Sequence, residues 1–229
     1  MIYSRTIRLF AMALVLGGPI QLAAGSGEQV LRQQCSACHA IEPPTDPDPV
    51  ARLDESAPPL YYAGNKYRDT WLIEWLQAPV VITPAGHVPA NNVVSGPDGD
   101  VIDTERQPVH PRLDAEVARE VAAALMRLRP YDDLLAQESY EPGTVALRMG
   151  TMDFRRFKGC IACHQDRPGT GGVSGPELHG AWSRLQAGYL VSYIRDPKAW
   201  DPLATMPDPE LNEGAVHRLV HYLHTLSEE

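Results

Sequence analysis

The pattern cysteine, two residues, cysteine, histidine occurs twice in this chain, as "CSACH" at 35–39 and "CIACH" at 160–164, and the two copies use all four of its cysteines. Three chemistries employ cysteines spaced this way. Disulfides suit an exported protein, but small disulfide frameworks do not confine themselves to neighbouring pairs. Zinc asks for about four ligands, which the two motifs would have to supply jointly across two stretches that each read as a complete unit. The third is covalent heme of the c type. Two thiols add to the two vinyl groups of one porphyrin, and the histidine that follows reaches beneath the ring to the iron. That chemistry requires this spacing, and it predicts two covalently attached hemes, on Cys35 and Cys38 and on Cys160 and Cys163, with His39 and His164 as proximal ligands.

The N-terminus supports a compartment in which such attachment occurs. Arg5 and Arg8 precede the apolar stretch "LFAMALVLGGPIQLAA", which ends in small residues. Residues 1–24 therefore read as an export signal with cleavage near Ala24, the alternative being an uncleaved membrane anchor. Gly17, Gly18 and Pro19 interrupt the run, which falls short of the roughly 20 residues needed to span a bilayer. A periplasmic protein with no transmembrane segment after cleavage is expected. The formal net charge is −9, and losing Arg5 and Arg8 makes the chain more acidic still. Nucleic acid is a poor partner for such a surface; a redox protein with a basic docking patch suits it.

A repeat organises the remainder. "WLIEWLQAP" at 71–79 and "YLVSYIRDP" at 189–197 share aromatic, aliphatic and proline positions, with an apolar stripe at helical spacing and a proline to stop the helix. Each precedes a loop and a longer amphipathic helix, Leu113–Leu128 and Leu211–Leu226, with Asp114 and Asn212 placed to cap. A further helix, "VALRMGTMDFRRFKG", leads into the second motif, and Met149 and Met152 are expected to pack on it. The class is mainly α. The boundaries are 25–130 for a first domain with an inserted distal loop at about 80–110, 131–144 for a linker rich in acids, and 145–229 for a second domain.

This arrangement resembles the class I cytochrome c family, in tandem diheme form, over nearly all of the chain after the signal. The second half carries the resemblance most closely, in "GCIACH", "GPELHG", "YLVSYIRDP" and the "TMP" that precedes the last helix. The family implies that the Pro176 carbonyl orients His164 and that Met206 is the distal ligand. A thioether is a soft, neutral donor suited to ferrous heme.

The first half departs from that pattern, with no methionine between His39 and Met126. Met126 falls inside the final helix, where it packs as core. Two histidines compete for the distal position. His87 lies about as far beyond Pro79 as Met206 does beyond Pro197. His110, in "PVHPRL", leads through proline directly into the final helix, and this favours His110. Lys66 or an open iron are the remaining options. Between the two histidines, "NNVVSGPDGDVID" reads as a turn or hairpin. Pro58 and Pro59 are candidates for the role of Pro176, although they lie further from His39. His217, His221 and His224 share one helix face, more fitting for a solvated face than for a metal. Trp182 and Trp200 could pack or reach the heme propionates, and the "GTGG" run at 169–172 reads as a loop.

The expected function is single-electron transfer between a donor, such as a dehydrogenase, and a downstream acceptor, without substrate turnover. Heme 1 would be ligated His/His and heme 2 His/Met. Met/His ligation raises the potential, so electrons would run downhill from the first domain to the second. The alternative is a heme enzyme acting on peroxide or a sulfur compound at an open or ligand-switching first heme. A heme sensor or structural subunit would be a third class.

Overall fold

Nearly all regular structure is helical in the computed structural model, which describes residues 27–97, 99–208 and 210–228. The expected export signal, residues 1–24, lies outside the described residues. In the first half, α1 (Gly27–Gln33) runs into a tight 3-10 turn, Cys35–Ala37, that holds the first motif. The helices α2 (Ala63–Lys66), α3 (Asp69–Gln77) and α4 (Ala115–Leu125) follow, and α5 (Asp132–Ala136) occupies the linker. The second half repeats the order. α6 (Leu147–Met152) continues through a π turn at Asp153–Phe157 into the 3-10 turn Cys160–Ala162. Then come α7 (Ala181–Arg184), α8 (Ala187–Arg195), α9 (Pro197–Trp200) and α10 (Glu213–Leu226).

Local chemistry sets these boundaries. The side chain of Asp114 accepts from the backbone N–H groups of Glu116 and Val117, and that of Asn212 accepts from Ala215, so both final helices carry the expected caps. α3 ends two residues before Pro79. Pro197 ends α8 and also opens α9, with Asp196 capping the new helix, because the missing proline N–H costs nothing in a first turn. The inserted loop forms a two-stranded hairpin, β1 (Val93–Gly96) and β2 (Gly99–Ile102), with Gly96 opposite Gly99. The "GTGG" run, read as a loop, contributes instead to a smaller hairpin of β3 (Gln165–Arg167) and β4 (Thr170–Gly171). Gly169 and Gly171 adopt positive φ there, a freedom absent from the sequence signal used to assign it.

Packing repeats as well. α1 crosses α4 and α6 crosses α10, each at a glycine. A Cβ on Gly27 would meet the backbone of Glu120, and one on Gly150 would meet the ring of Tyr222. That crossing also corrects the expectation for Met149. With Gly150 facing α10, its neighbour points outward and Met149 is 55% exposed.

The halves meet around a local twofold. Tyr67 and Leu185, equivalent positions in the repeat, form an antiparallel bridge. The Arg68 N–H donates to the Arg184 carbonyl and the Gln186 N–H to the Lys66 carbonyl, both at 2.9 Å. The side chains reciprocate: Arg68 Nε donates to the carbonyls of Trp182 and Leu185, and Gln186 Nε2 to those of Gly64 and Tyr67. One hydrophobic cluster runs continuously through both halves, from Leu31 to Leu223, with Tyr62, Tyr189 and Trp200 buried at its centre. The linker is tied to both halves. Asp132 accepts from Asn65 at 2.7 Å, and Glu138 pairs with Arg195 at 2.6 Å. Among the described residues, no helix is long and apolar enough to cross a membrane.

Candidate functional site

Both motifs fold into the same turn. Cys38 N–H and His39 N–H donate to the Cys35 carbonyl at 3.1 and 3.0 Å, and Cys163 and His164 repeat this on Cys160 at 3.2 and 3.0 Å. A 3-10 turn sets residues three apart on one edge, so each pair of thiols lies side by side. All four thiols are unpaired. Burial pushes the Cys35 thiol above its ordinary pKa and Cys160 up to about 11. Among the described residues no three His, Cys, Asp or Glu side chains gather as a metal-holding group. The two motifs therefore form separate sites and do not converge on one tetrahedral centre.

Each histidine is oriented by a proline carbonyl. His39 Nδ1 lies 2.7 Å from the Pro58 oxygen, and His164 Nδ1 lies 2.8 Å from that of Pro176. A carbonyl only accepts, so Nδ1 carries the hydrogen and Nε2 keeps its lone pair, the arrangement of a metal-ligating imidazole. Pro58 thus does for His39 what Pro176 does for His164. The following residues align as well, since Leu60 N–H donates to Ala40 at 2.8 Å and Leu178 N–H to Gln165 at 2.7 Å. Gly175 is required for closeness, because a Cβ there would run into the His164 ring. Burial lowers the pKa of both histidines, which keeps the rings neutral and able to ligate.

A cavity of about 1160 Å³ opens beside the first motif. Cys35, Cys38 and His39 form part of its wall, and Leu72, Ile82 and Val121 contribute apolar surface. His110 reaches it from the segment before α4, and the His39 and His110 ring centroids are 6.2 Å apart. Two imidazoles bound to one metal at about 2 Å per nitrogen would have centroids roughly 6 Å apart. His110 Nδ1 is tied to the Pro111 carbonyl at 2.9 Å, which leaves its Nε2 lone pair available in turn. The ring packs edge-on against Trp75 at 4.6 Å, and Trp75 stacks on Trp71 at 5.7 Å. His87 lines the same cavity with its Nε2 engaged by Glu55 at 3.0 Å. The Lys66 ammonium lies 4.9 Å from the Tyr67 ring and 5.9 Å from that of Tyr189. The two thiols and two imidazoles on these walls are the donor set that a covalently anchored planar macrocycle requires.

In the second half, Met206 is half-buried in the loop between α9 and α10 and is followed by a proline before the final helix, as His110 is before α4. Tyr189 and Tyr193, equivalent to Trp71 and Trp75, lie 5.2 Å apart. Trp182 stacks on His224 at 4.2 Å, and Trp200 is wholly buried, so both pack. His221 and His224 are hydrogen-bonded to the carbonyls of Glu141 and Gly143, and so fasten the linker to α10.

Sequence reasoning missed several residues around these sites. Arg52 pairs with Glu55 at 2.9 Å and with buried Asp201, linking the partner of His87 to the second half. Asp166, wholly buried, accepts from Arg155 at 2.7 and 2.8 Å and from Tyr222 at 2.7 Å. The distal loop of the first half is pinned to the loop behind His164: the Ala85 N–H donates to Val173 at 3.0 Å and the Glu177 N–H to Ile82 at 2.8 Å. The reciprocal Arg68 and Gln186 contacts become readable when "AGNKYRD" and "AWSRLQA" are overlaid; the other partners carry no local signal. Comparison with protein-family models, with curated proteins and with solved structures gave no match.

Proposed function

We propose that this chain is a periplasmic diheme c-type cytochrome that passes single electrons between a donor and an acceptor protein. One heme is held by Cys35 and Cys38 and the other by Cys160 and Cys163, in two class I cytochrome c-like domains spanning 25–130 and 145–229. The observation that carries this reading is the proximity of His39 and His110 on the wall of the cavity beside Cys35 and Cys38, each with Nδ1 bound to a proline carbonyl.

Bound heme supplies a one-electron iron couple whose potential follows its axial ligands and burial. The protein's own groups do the rest. Pro58 and Pro176 fix the tautomer and the plane of His39 and His164. Trp75 and the Pro111 carbonyl hold His110 in place. His39 and His110 would hold the first heme, and His164 with the Met206 thioether the second. With those ligands the higher potential would lie in the second half and transfer from first to second would run downhill. The acidic surface suits a partner with a basic docking patch.

The test is heme content of the exported protein, followed by low-temperature EPR of its oxidised form. Two covalent hemes per chain, one with a bis-histidine and one with a His/Met signal, are expected. Absence of covalent heme would refute the proposal, and two indistinguishable potentials in a redox titration would refute its direction.

A second reading rests on His87. Its pairing with Glu55 in the cavity wall is an acid–base arrangement suited to a heme enzyme acting on a small substrate. Carbon monoxide or cyanide binding at the first heme would favour that reading. Inert ferric and ferrous states would favour the carrier.

A further inference from the structure

One peptide group touches both sites. The carbonyl of Pro176 accepts from His164 Nδ1 at 2.8 Å, and the N–H of the same peptide, on Glu177, donates to the Ile82 carbonyl at 2.8 Å. Ile82 belongs to the wall of the cavity that holds His39 and His110. A continuous run of bonds therefore leads from the first cavity to the imidazole of the second motif, with two hydrogen bonds in it and a conjugated amide between them. Such chains polarise cooperatively.

Glu177 is held firmly in this position. Its carboxylate pairs with buried Arg184 and accepts from the Gly180 N–H at 2.8 Å, and its carbonyl accepts from Arg184 Nη2 at 2.7 Å. The Ala85–Val173 hydrogen bond clamps the same two loops beside it. In the first half the equivalent peptide joins Pro58 to Pro59, and proline has no N–H to pass on. The chain of hydrogen bonds behind His39 thus ends at the Pro58 oxygen.

We infer that the Pro176–Glu177 peptide is the electronic coupler between the two sites. With hemes held at both motifs, the Ile82 carbonyl, this amide and the His164 ring would supply the bonded route for an electron passing from the first site to the second, and both hydrogen-bond protons would stay where they are. The inference rests on the two-heme reading above. The rival path through aromatic rings, from His110 through Trp75 and Trp71 to Tyr67, meets the Lys66 ammonium between Tyr67 and Tyr189. A cation in that position opposes a positive hole on either ring.

The experiment uses the full heme-loaded chain, with heme content measured first; fewer than two hemes per chain overturns both readings. With two hemes present, transfer between them is timed after rapid one-electron reduction in wild type, Glu177→Pro, Glu177→Ala and Trp71→Leu. Glu177→Ala loses the side-chain clamps and keeps the N–H, whereas Glu177→Pro loses both. Slower transfer in Glu177→Pro than in Glu177→Ala is expected. Equal rates, or slowing confined to Trp71→Leu, overturn the coupler and leave the diheme assignment standing. A measurement on the unaltered chain guards against a misfolded variant. With the second heme ferric, the carbonyl carbon of Ile82 should show a contact shift larger than that of Val173, whose hydrogen bond to Ala85 lies off the route. No excess at Ile82 overturns the inference.

Discussion

The segments "SAPPL" at 56–60 and "SGPEL" at 174–178 perform one task with different consequences. Each offers a proline carbonyl to the histidine of its motif, and each returns through a leucine N–H to the backbone just after that histidine. Glu177 then reaches across to the other half, where Pro59 cannot. The same contrast recurs on a larger scale. Caps, glycine crossings and the reciprocal interface are common to both halves. The first half carries the cavity lined by His39 and His110 and the longer hairpin of β1 and β2, and the second carries the Arg155–Asp166–Tyr222 network. The scaffold carries the repeat, and the loops facing each site carry the differences.

The strongest way to break the comparison is to disable one half at a time. Cys160→Ser with Cys163→Ser is expected to leave one covalent heme per chain and only the bis-histidine EPR signal. Cys35→Ser with Cys38→Ser should leave only the His/Met signal. If either pair abolished both hemes, the two sites would not be independent. Next in size is conversion of the first site into a copy of the second. His110→Met should replace the bis-histidine signal with a second His/Met signal and raise that heme's potential. His87→Ala should leave the first signal unchanged. Reversed outcomes would move the distal role to His87.

Much of the shared scaffold was legible because it depends on local chemistry. Asp114 and Asn212 announce helix starts through their own backbone neighbours, and the aromatic stripes with their prolines locate α3 and α8 to within two residues. The matched motifs mark both sites in the same way. What escaped depends on partners distant in the chain. Nothing around Ile82 signals a bond to Glu177, and Arg52 meets Asp201 across 149 residues. Met149 was expected to pack, because helical spacing reveals that a face exists; only the contact of Gly150 with Tyr222 determines which face is inward. The surroundings of His110 and His87 depend on similar information, since the partnership of His87 with Glu55 joins two separate loops.

A stability measurement sharpens the contrast further. Among the described residues, the first half has no counterpart to the ion pair between Asp166 and Arg155. Burial pushes the Asp166 carboxyl up, but hydrogen bonds from Arg155 and Tyr222 outweigh this and hold its pKa below the ordinary value. Its stabilising contribution is therefore present above the ordinary carboxylate pKa and fades as pH falls through the lowered one. Arg155→Ala leaves a buried carboxylate with its main partner gone, at a cost of about 3–5 kcal/mol near neutral pH. Without Arg155 two of the influences that lower the carboxyl's pKa are lost, so it titrates above its wild-type value and the deficit should shrink as acid protonates Asp166. Denaturant unfolding of the heme-loaded variant at several pH values checks this, and a deficit that stays constant or grows in acid would refute it.

The smallest expected effect concerns the local twofold itself. Arg68 and Gln186 occupy equivalent positions and each donates to two carbonyls of the opposite half, but the donors differ in charge. Hydrogen bonds from charged groups contribute about 1.5–3 kcal/mol and neutral ones about 0.5–1.5. Arg68 also lies 5.2 Å from the centroid of the Trp182 ring, a contact without an equivalent at Gln186. Arg68→Ala should accordingly destabilise by roughly 3 kcal/mol and Gln186→Ala by roughly 2. The double variant should cost less than their sum, because loosening one side of a shared bridge frees the other. Arg68→Gln should recover most of the loss if hydrogen bonding dominates, and little if the Trp182 contact does. Equal costs for the two alanine variants would mean that the interface is symmetric in energy as well as in connectivity, and that the functional asymmetry of the halves is confined to their loops.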